Sequence, residues 1–430
     1  MQYFYLRFYL SFALLILLTA CSSGGGSSSQ TPVDVSADAK LATAIRNDSR
    51  FTLVRAKAKQ LVGKSFAAGS VYPYVFIRDL NTFVELAIEV HGAPAVRAQL
   101  KNFLVHQSED GNIVDAIAVL DDSTIKTTVE SDQESSLVQA VTKYVTISGD
   151  KAFLLEEIRG IPVIVRLENA LTFLYTQRYS SKYGLVFGGT RADWGDVQPE
   201  DTPGTALNDA SHPSISIYDN AMLTLALQGL QTLAKANTRD SSLWAGRERD
   251  LRGAIRTYLW NGVKFIPHLY LEKGSPMPSG FDESAIYFQG GTAVAIEAGL
   301  LLPTEVKQAF SRMIKNKIES GSGSIGVSLY PTYPADFFKN REYMGGVYVY
   351  QNGGDWAWFG ARIVQQMVAA GEVQLAYQEL APILDRVVRD EGFYEWYTRE
   401  GIKQGSGDYR GTAGQIVKAI DMLSDWASRH

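Results

Sequence analysis

Cysteine is nearly missing from this chain: Cys21 is the only one among 430 residues. No disulfide can form within the chain, and no thiol nucleophile or cysteine-based metal site can be built downstream of it. Histidine is almost as scarce. His91, His106, His212, His268 and His430 are scattered, with no pair at metal-ligand spacing. Neither a metal nor a cofactor is therefore expected. Positive charge is not in excess either. The net charge of −5 argues against a nucleic-acid surface. The one long apolar run, residues 12–18, is too short to span a bilayer comfortably.

That run has a different use. Arg7 precedes it, and Leu18-Thr19-Ala20-Cys21 closes it. Residues 1–20 read as a bacterial signal peptide. Its ending resembles the lipobox of bacterial lipoproteins, which implies that Cys21 becomes a lipidated N-terminus. A Gly/Ser-rich tether, residues 21–35, would hold a globular body of residues 36–430 off the membrane. Ser22 stands where an aspartate commonly retains lipoproteins at the inner membrane. The expected location is therefore the bacterial cell envelope, anchored to the outer membrane on either its periplasmic or its surface face.

The body reads as helix after helix. Apolar residues recur at three- and four-residue spacing over 51–62, 80–90, 95–106, 134–147, 151–175, 216–234, 242–260, 284–301, 304–314, 356–370, 373–388 and 411–426. Strand-like patches are short and fall between them, at 185–187, 264–271, 324–329 and 393–397. Nothing alternates strand, helix, strand as a parallel sheet would. Twelve helices in pairs suit an all-α toroid of six helical hairpins, the (α/α)6 barrel, with short β-strands in the connections. An irregular α-solenoid is the competing architecture.

The chemistry-bearing residues fall between the helices. Asp193-Trp194-Gly195-Asp196 sets two carboxylates around a tryptophan. It offers an aromatic face for a sugar ring and an acid beside it. It would equally serve as a turn with Asp193 in an Asx bond and Trp194 in the core. Tyr72-Pro73-Tyr74-Val75-Phe76-Ile77-Arg78-Asp79 ends on an Arg-Asp pair, which suits neighbouring sugar hydroxyls or a plain helix cap. Glu130-Ser131-Asp132-Gln133-Glu134 fits a capping box from Ser131 to Glu134. Asn352-Gly353-Gly354-Asp355-Trp356 opens one helix, and Phe393-Tyr394-Glu395-Trp396-Tyr397 precedes the last. A glutamate among four aromatics is expensive to bury.

In their order along the chain, from Tyr72 to the last helix, these segments resemble those of the six-hairpin glycosidases, the glucoamylase, trehalase and processing α-glucosidase families. The resemblance implies an inverting, exo-acting glycoside hydrolase that releases glucose from α-glucosides or oligosaccharides. It makes Asp196 the general acid, with Asp193 as the other possibility, and Glu395 the general base. Arg78, Asp79, Tyr74, Asp193, Trp194, Asp355, Trp356 and Trp396 would hold the sugar. A disaccharide phosphorylase or a non-catalytic glycan-binding lipoprotein could share the fold. A polysaccharide lyase or unsaturated-uronide hydrolase fits the motifs less well.

Overall fold

The computed structural model describes residues 35–430. The signal peptide, Cys21 and the tether expected at the N-terminus lie outside the described residues. No helix among the described residues is long and apolar enough to cross a membrane.

Helices dominate, as the apolar spacing predicts. In chain order they are α1 (Val35–Arg46), α2 (Ser49–Val62), α3 (Ile77–His91), α4 (Ala93–Val105), α5 (Gln133–Ser148), α6 (Val163–Gln177) and α7 (Ile217–Ala236). The second half adds α8 (Ser242–Tyr258), α9 (Gln289–Glu297), α10 (Pro303–Ser320), α11 (Arg341–Met344), α12 (Ala357–Ala369), α13 (Val373–Asp390) and α14 (Arg410–Ser428).

Six helices close a ring. Helix α3 packs on α5, α5 on α7, α7 on α9, α9 on α12, and α12 on α14, which returns to α3. Outside it, α4 lies against α3 and α5, α6 against α5 and α7, α8 against α7, α10 against α9, α13 against α12, and α2 against α14 and α13. The side chains account for this division. Helix α12 buries every residue from 357 to 367, as a helix packed on all sides must. Helix α8 buries only Trp244, Leu251 and Ile255, a single stripe with charge around it.

Two expected helices differ. The stretch 151–175 starts as a 3-10 turn, Lys151–Leu155, then forms a hairpin of Glu157–Ile158 with Ile161–Pro162. Gly160 takes the left-handed turn position at φ 74°. Pro162 then caps α6, where its missing N–H costs nothing. The stretch 284–301 similarly starts with a 3-10 turn and the strand Tyr287–Phe288, so α9 is short. Helices α1 and α11 were not foreseen. The strands are two or three residues long, in sheets of at most three strands among the described residues. The strand Tyr74–Phe76 pairs antiparallel with Ala116–Ala118 and runs straight into α3.

Candidate active site

One cavity collects residues from across the chain. It holds about 700 Å³ of empty space, part of it open to solvent. Arg78 and Asp79 come from the first turn of α3, Gln133 from the start of α5, Trp358 from the start of α12, and Tyr409 from the N-cap of α14. Tyr72, Glu130, Asp196, Gln351 and Glu395 come from connections between helices. The cavity thus sits at the N-terminal ends of four of the six ring helices, α3, α5, α12 and α14.

The connection carrying Asp196 is held at several points. Arg191, fully buried, pairs with Asp219 in the first turn of α7. Asp193 sits at φ 55°, a left-handed conformation that aspartate tolerates better than most residues. Its two oxygens accept from the backbone N–H groups of Gly290 (2.7 Å) and Gly291 (2.9 Å). Trp194 stacks on Phe359 at 4.9 Å and meets Trp356 edge-on at 4.7 Å. Gly195 is required for close approach, since a Cβ there would stand 2.7 Å from Gln351 Oε1. Gln351 Nε2 donates to Asp196 Oδ1 at 2.8 Å.

Glu395 enters from the opposite end of the sequence. Its backbone N–H donates to Ser406 O, and its Oε2 accepts from Ser406 N at 3.2 Å and the Tyr72 hydroxyl at 3.1 Å. Only 4% of the residue is exposed. Burial pushes its carboxyl up to about 7, against the pull of the Ser406 and Tyr72 donors; the nearby Asp79 and Asp196 charges add to the rise. Asp196 and Glu395 therefore share one hollow and lie within each other's field.

The Arg-Asp pair divides its work. Arg78 lines the cavity, but its Nε donates to Asp132 (2.7 Å) and its Nη2 to Glu130 and Asp132 (3.0 Å each). Asp79 has one buried oxygen with no partner, and burial raises it to about 6. Burial and then the Asp115 charge push Glu130 up to about 8, while burial lifts Asp115 to about 6.

Trp194 and Trp356 line the cavity as expected, and four other expected sugar contacts do not. Asp193 is consumed by the first turn of α9, where the partial positive charge of a helix N-terminus suits a carboxylate. Asp355 accepts from Ser322 Oγ (2.7 Å) and Ser324 N (2.8 Å) and pairs with Arg386 (2.8 Å). Its backbone also pairs with Tyr397, so it anchors the strand that follows Glu395. Tyr74 packs edge-on to Phe76, which lines the cavity in its place. Trp396 stands behind the wall, parallel to Trp356 at 6.5 Å. The expected capping box is absent too: no side chain caps α5, and Glu134 accepts from Ile113 N instead.

Tyr72, Asp115, Glu130, Gln133, Tyr350, Gln351, Trp358 and Tyr409 also line the cavity, beyond the individual site residues expected from the sequence. A signal existed for some of them. Residues 130–136 are seven polar residues in a row, and all are buried. No cluster of His, Cys, Asp and Glu among the described residues has the geometry to hold a metal ion.

No protein-family model matches this chain, and no curated relative does. Solved structures do share its fold. The GH63 mannosylglycerate hydrolase of Thermus thermophilus in complex with Tris and D-glycerate superposes with a TM-score of 0.63 at 15% identity, over 85% of this chain and 99% of that one. The same enzyme in complex with glucose gives 0.64 at 16% identity, with the same coverage. A Klebsiella oxytoca rhamnosidase with rhamnose bound gives 0.58 at 14% identity, over 86% of this chain and 63% of that one. By name these neighbours are a GH63 hydrolase and a rhamnosidase. At such identities the likeness is one of fold. The narrower resemblance to glucoamylase and trehalase rests on the sequence motifs alone.

Proposed function

We propose that this protein is an inverting glycoside hydrolase and that its ring of six helices, with six outside, is an (α/α)6 barrel. Asp196 protonates the glycosidic oxygen as the bond from that oxygen to the anomeric carbon breaks. Glu395, ionised, takes a proton from the water whose oxygen bonds to that carbon from the opposite face. A carboxyl group near 7 is well matched to accepting a proton at neutral pH. Trp194, Trp356 and Trp358 give the ring apolar walls. One observation carries the reading: two acidic residues from distant parts of the chain line a single cavity. The glycoside hydrolase fold of the neighbours supports it.

On the same reading the enzyme acts from a chain end, and α-glucosides are the first substrates to try. One neighbour was solved in complex with glucose. The test is to follow the first-formed anomer of the released sugar by NMR, with Asp196→Asn and Glu395→Gln as controls. Inversion by the wild type and loss of turnover in both folded variants are expected. Retention of configuration, or undiminished turnover in either variant, rejects the assignment. Sugar binding without turnover by the wild type would leave a glycan-binding protein instead.

We also propose lipidation at Cys21 and anchoring to the bacterial outer membrane, on the motif of residues 18–21. Metabolic labelling with palmitate should mark the wild type and not Cys21→Ser. Equal labelling of the two refutes it.

A further inference from the structure

The cavity is lined by five carboxyl groups, Asp79, Asp115, Glu130, Asp196 and Glu395, and by one cation, Arg78. Arg78 is already committed, its Nε and Nη2 donating to Asp132 and Glu130. No second guanidinium or ammonium group is among the lining residues. Four of the five carboxyl groups are pushed up, each chiefly by burial: Asp79, Asp115, Glu130 and Glu395. The space is thus hostile to negative charge even on the protein's own side chains. The helix N-termini around the cavity carry roughly half a charge each. That field is outweighed by the carboxyl groups already placed in it.

The unpaired atoms point to what is accepted. Asp79 Oδ1 and Asp115 Oδ1 are buried acceptors without a partner, and Glu130 Oε2 is a buried carboxyl oxygen without one. Gln133 is 2% exposed, and both polar atoms of its amide lack a partner. Hydroxyl groups, which donate and accept, satisfy all of these; a carboxylate or phosphate oxygen only adds acceptors.

On the reading of this cavity as a sugar site, we infer that it selects an uncharged sugar ring, and that Asp79 and Asp115 turn away rings bearing carboxylate, sulfate or phosphate. The same exclusion makes water rather than inorganic phosphate the nucleophile beside Glu395. The reaction is then hydrolysis, not phosphorolysis, and uronides are not substrates.

Binding measured by NMR to the wild-type protein tests this without relying on turnover. Matched pairs are used: glucose with glucuronate, mannose with mannuronate, galactose with galacturonate, and inorganic phosphate alone. At least one neutral sugar should bind, with its uronate at least about tenfold weaker, as like-charge exclusion requires, and phosphate should not compete. A uronate or phosphate that binds as tightly as the neutral sugar overturns the inference, as does no difference within any pair. In Asp115→Asn, which keeps the shape and an acceptor for Thr127, the gap should narrow. An unchanged gap in a variant with a normal thermal melt overturns the inference; Asp79→Asn serves if Asp115→Asn does not fold. Selective binding without turnover would refute the catalytic reading alone. Turnover of uronides as fast as neutral glycosides would refute the charge selection alone.

Discussion

Tyr72→Phe isolates the group that the mechanism depends on most. Tyr72 stays protonated, because burial and the Glu395 charge push its phenol far up. Its hydroxyl donates to Glu395 Oε2 at 3.1 Å, with Oε1 at 3.5 Å. A hydrogen bond to a charged group contributes roughly 1.5–3 kcal/mol. At 3.1 Å this one is long for a hydroxyl on a carboxylate, so the lower end, about 1.5 kcal/mol, is the better figure. That is about one pH unit.

Removing the donor raises the Glu395 pKa, because the bond favoured the ionised form. A general base works only when ionised, so kcat/KM climbs as pH rises through the pKa of Glu395. The acidic limb should sit near 7 in the wild type and about one unit higher in Tyr72→Phe. Below pH 6 the variant should lose about tenfold, and well above the shifted limb nothing. The assay is kcat/KM against pH, which reports the free enzyme. Tyr72 also lines the cavity, so a lost sugar contact is the competing explanation. It would lower kcat/KM by one factor at every pH. A uniform drop, or a limb that does not move, refutes the role given to Glu395.

Three further outcomes follow from the same geometry. Glu395 is raised from its ordinary 4.5 to about 7, so the stability it contributes is complete below 4.5 and is lost as pH rises through 7. Glu395→Gln should match the wild type in urea unfolding at pH 4 and exceed it at pH 8 by up to about 3 kcal/mol; an equal difference at both pH values contradicts this. Asp355→Ala strands the buried Arg386 and should cost about 3–5 kcal/mol in denaturant unfolding, with the sugar affinity of the folded protein unchanged. A Cβ on Gly405, at φ 68°, would fall 2.3 Å from Glu395 Oε2. Gly405→Ala should therefore lower kcat by about a hundredfold, and near-normal kcat would show that Glu395 has room to move.

Much of the fold was legible because each ring and outer helix carries its own apolar period. That Asp196 and Glu395 reach the cavity was legible for a local reason: each is a carboxylate set among aromatic and glycine residues. Asp193 and Asp355 carry the same signature, also flanking tryptophans, and do not line it. What separates the four is their partners, and these come from other segments. Gly290 and Gly291 claim Asp193; Ser322, Ser324 and Arg386 claim Asp355. Nothing adjacent in the chain encodes those meetings. Asp115, Glu130 and Gln133 were illegible for the converse reason. A polar run ahead of a helix ordinarily caps it in water, and only the packing of α5 between α3 and α7 in the ring takes this run out of water.

That closure explains why the cavity carries so many unpaired polar atoms. Asp79, Asp115, Glu130, Gln133, Trp194, Gln351 and Trp358 all line it, and each holds a buried donor or acceptor with no partner in the protein. Each such atom costs about 1–3 kcal/mol, so a chain selected for stability alone would have replaced several with apolar residues. The surrounding ring bears that cost through dense packing, most plainly along α12. A ligand that supplies the missing partners returns part of it. Folding stability and ligand affinity are therefore coupled at this site, and a bound sugar should raise the melting temperature in proportion to the logarithm of its concentration above Kd.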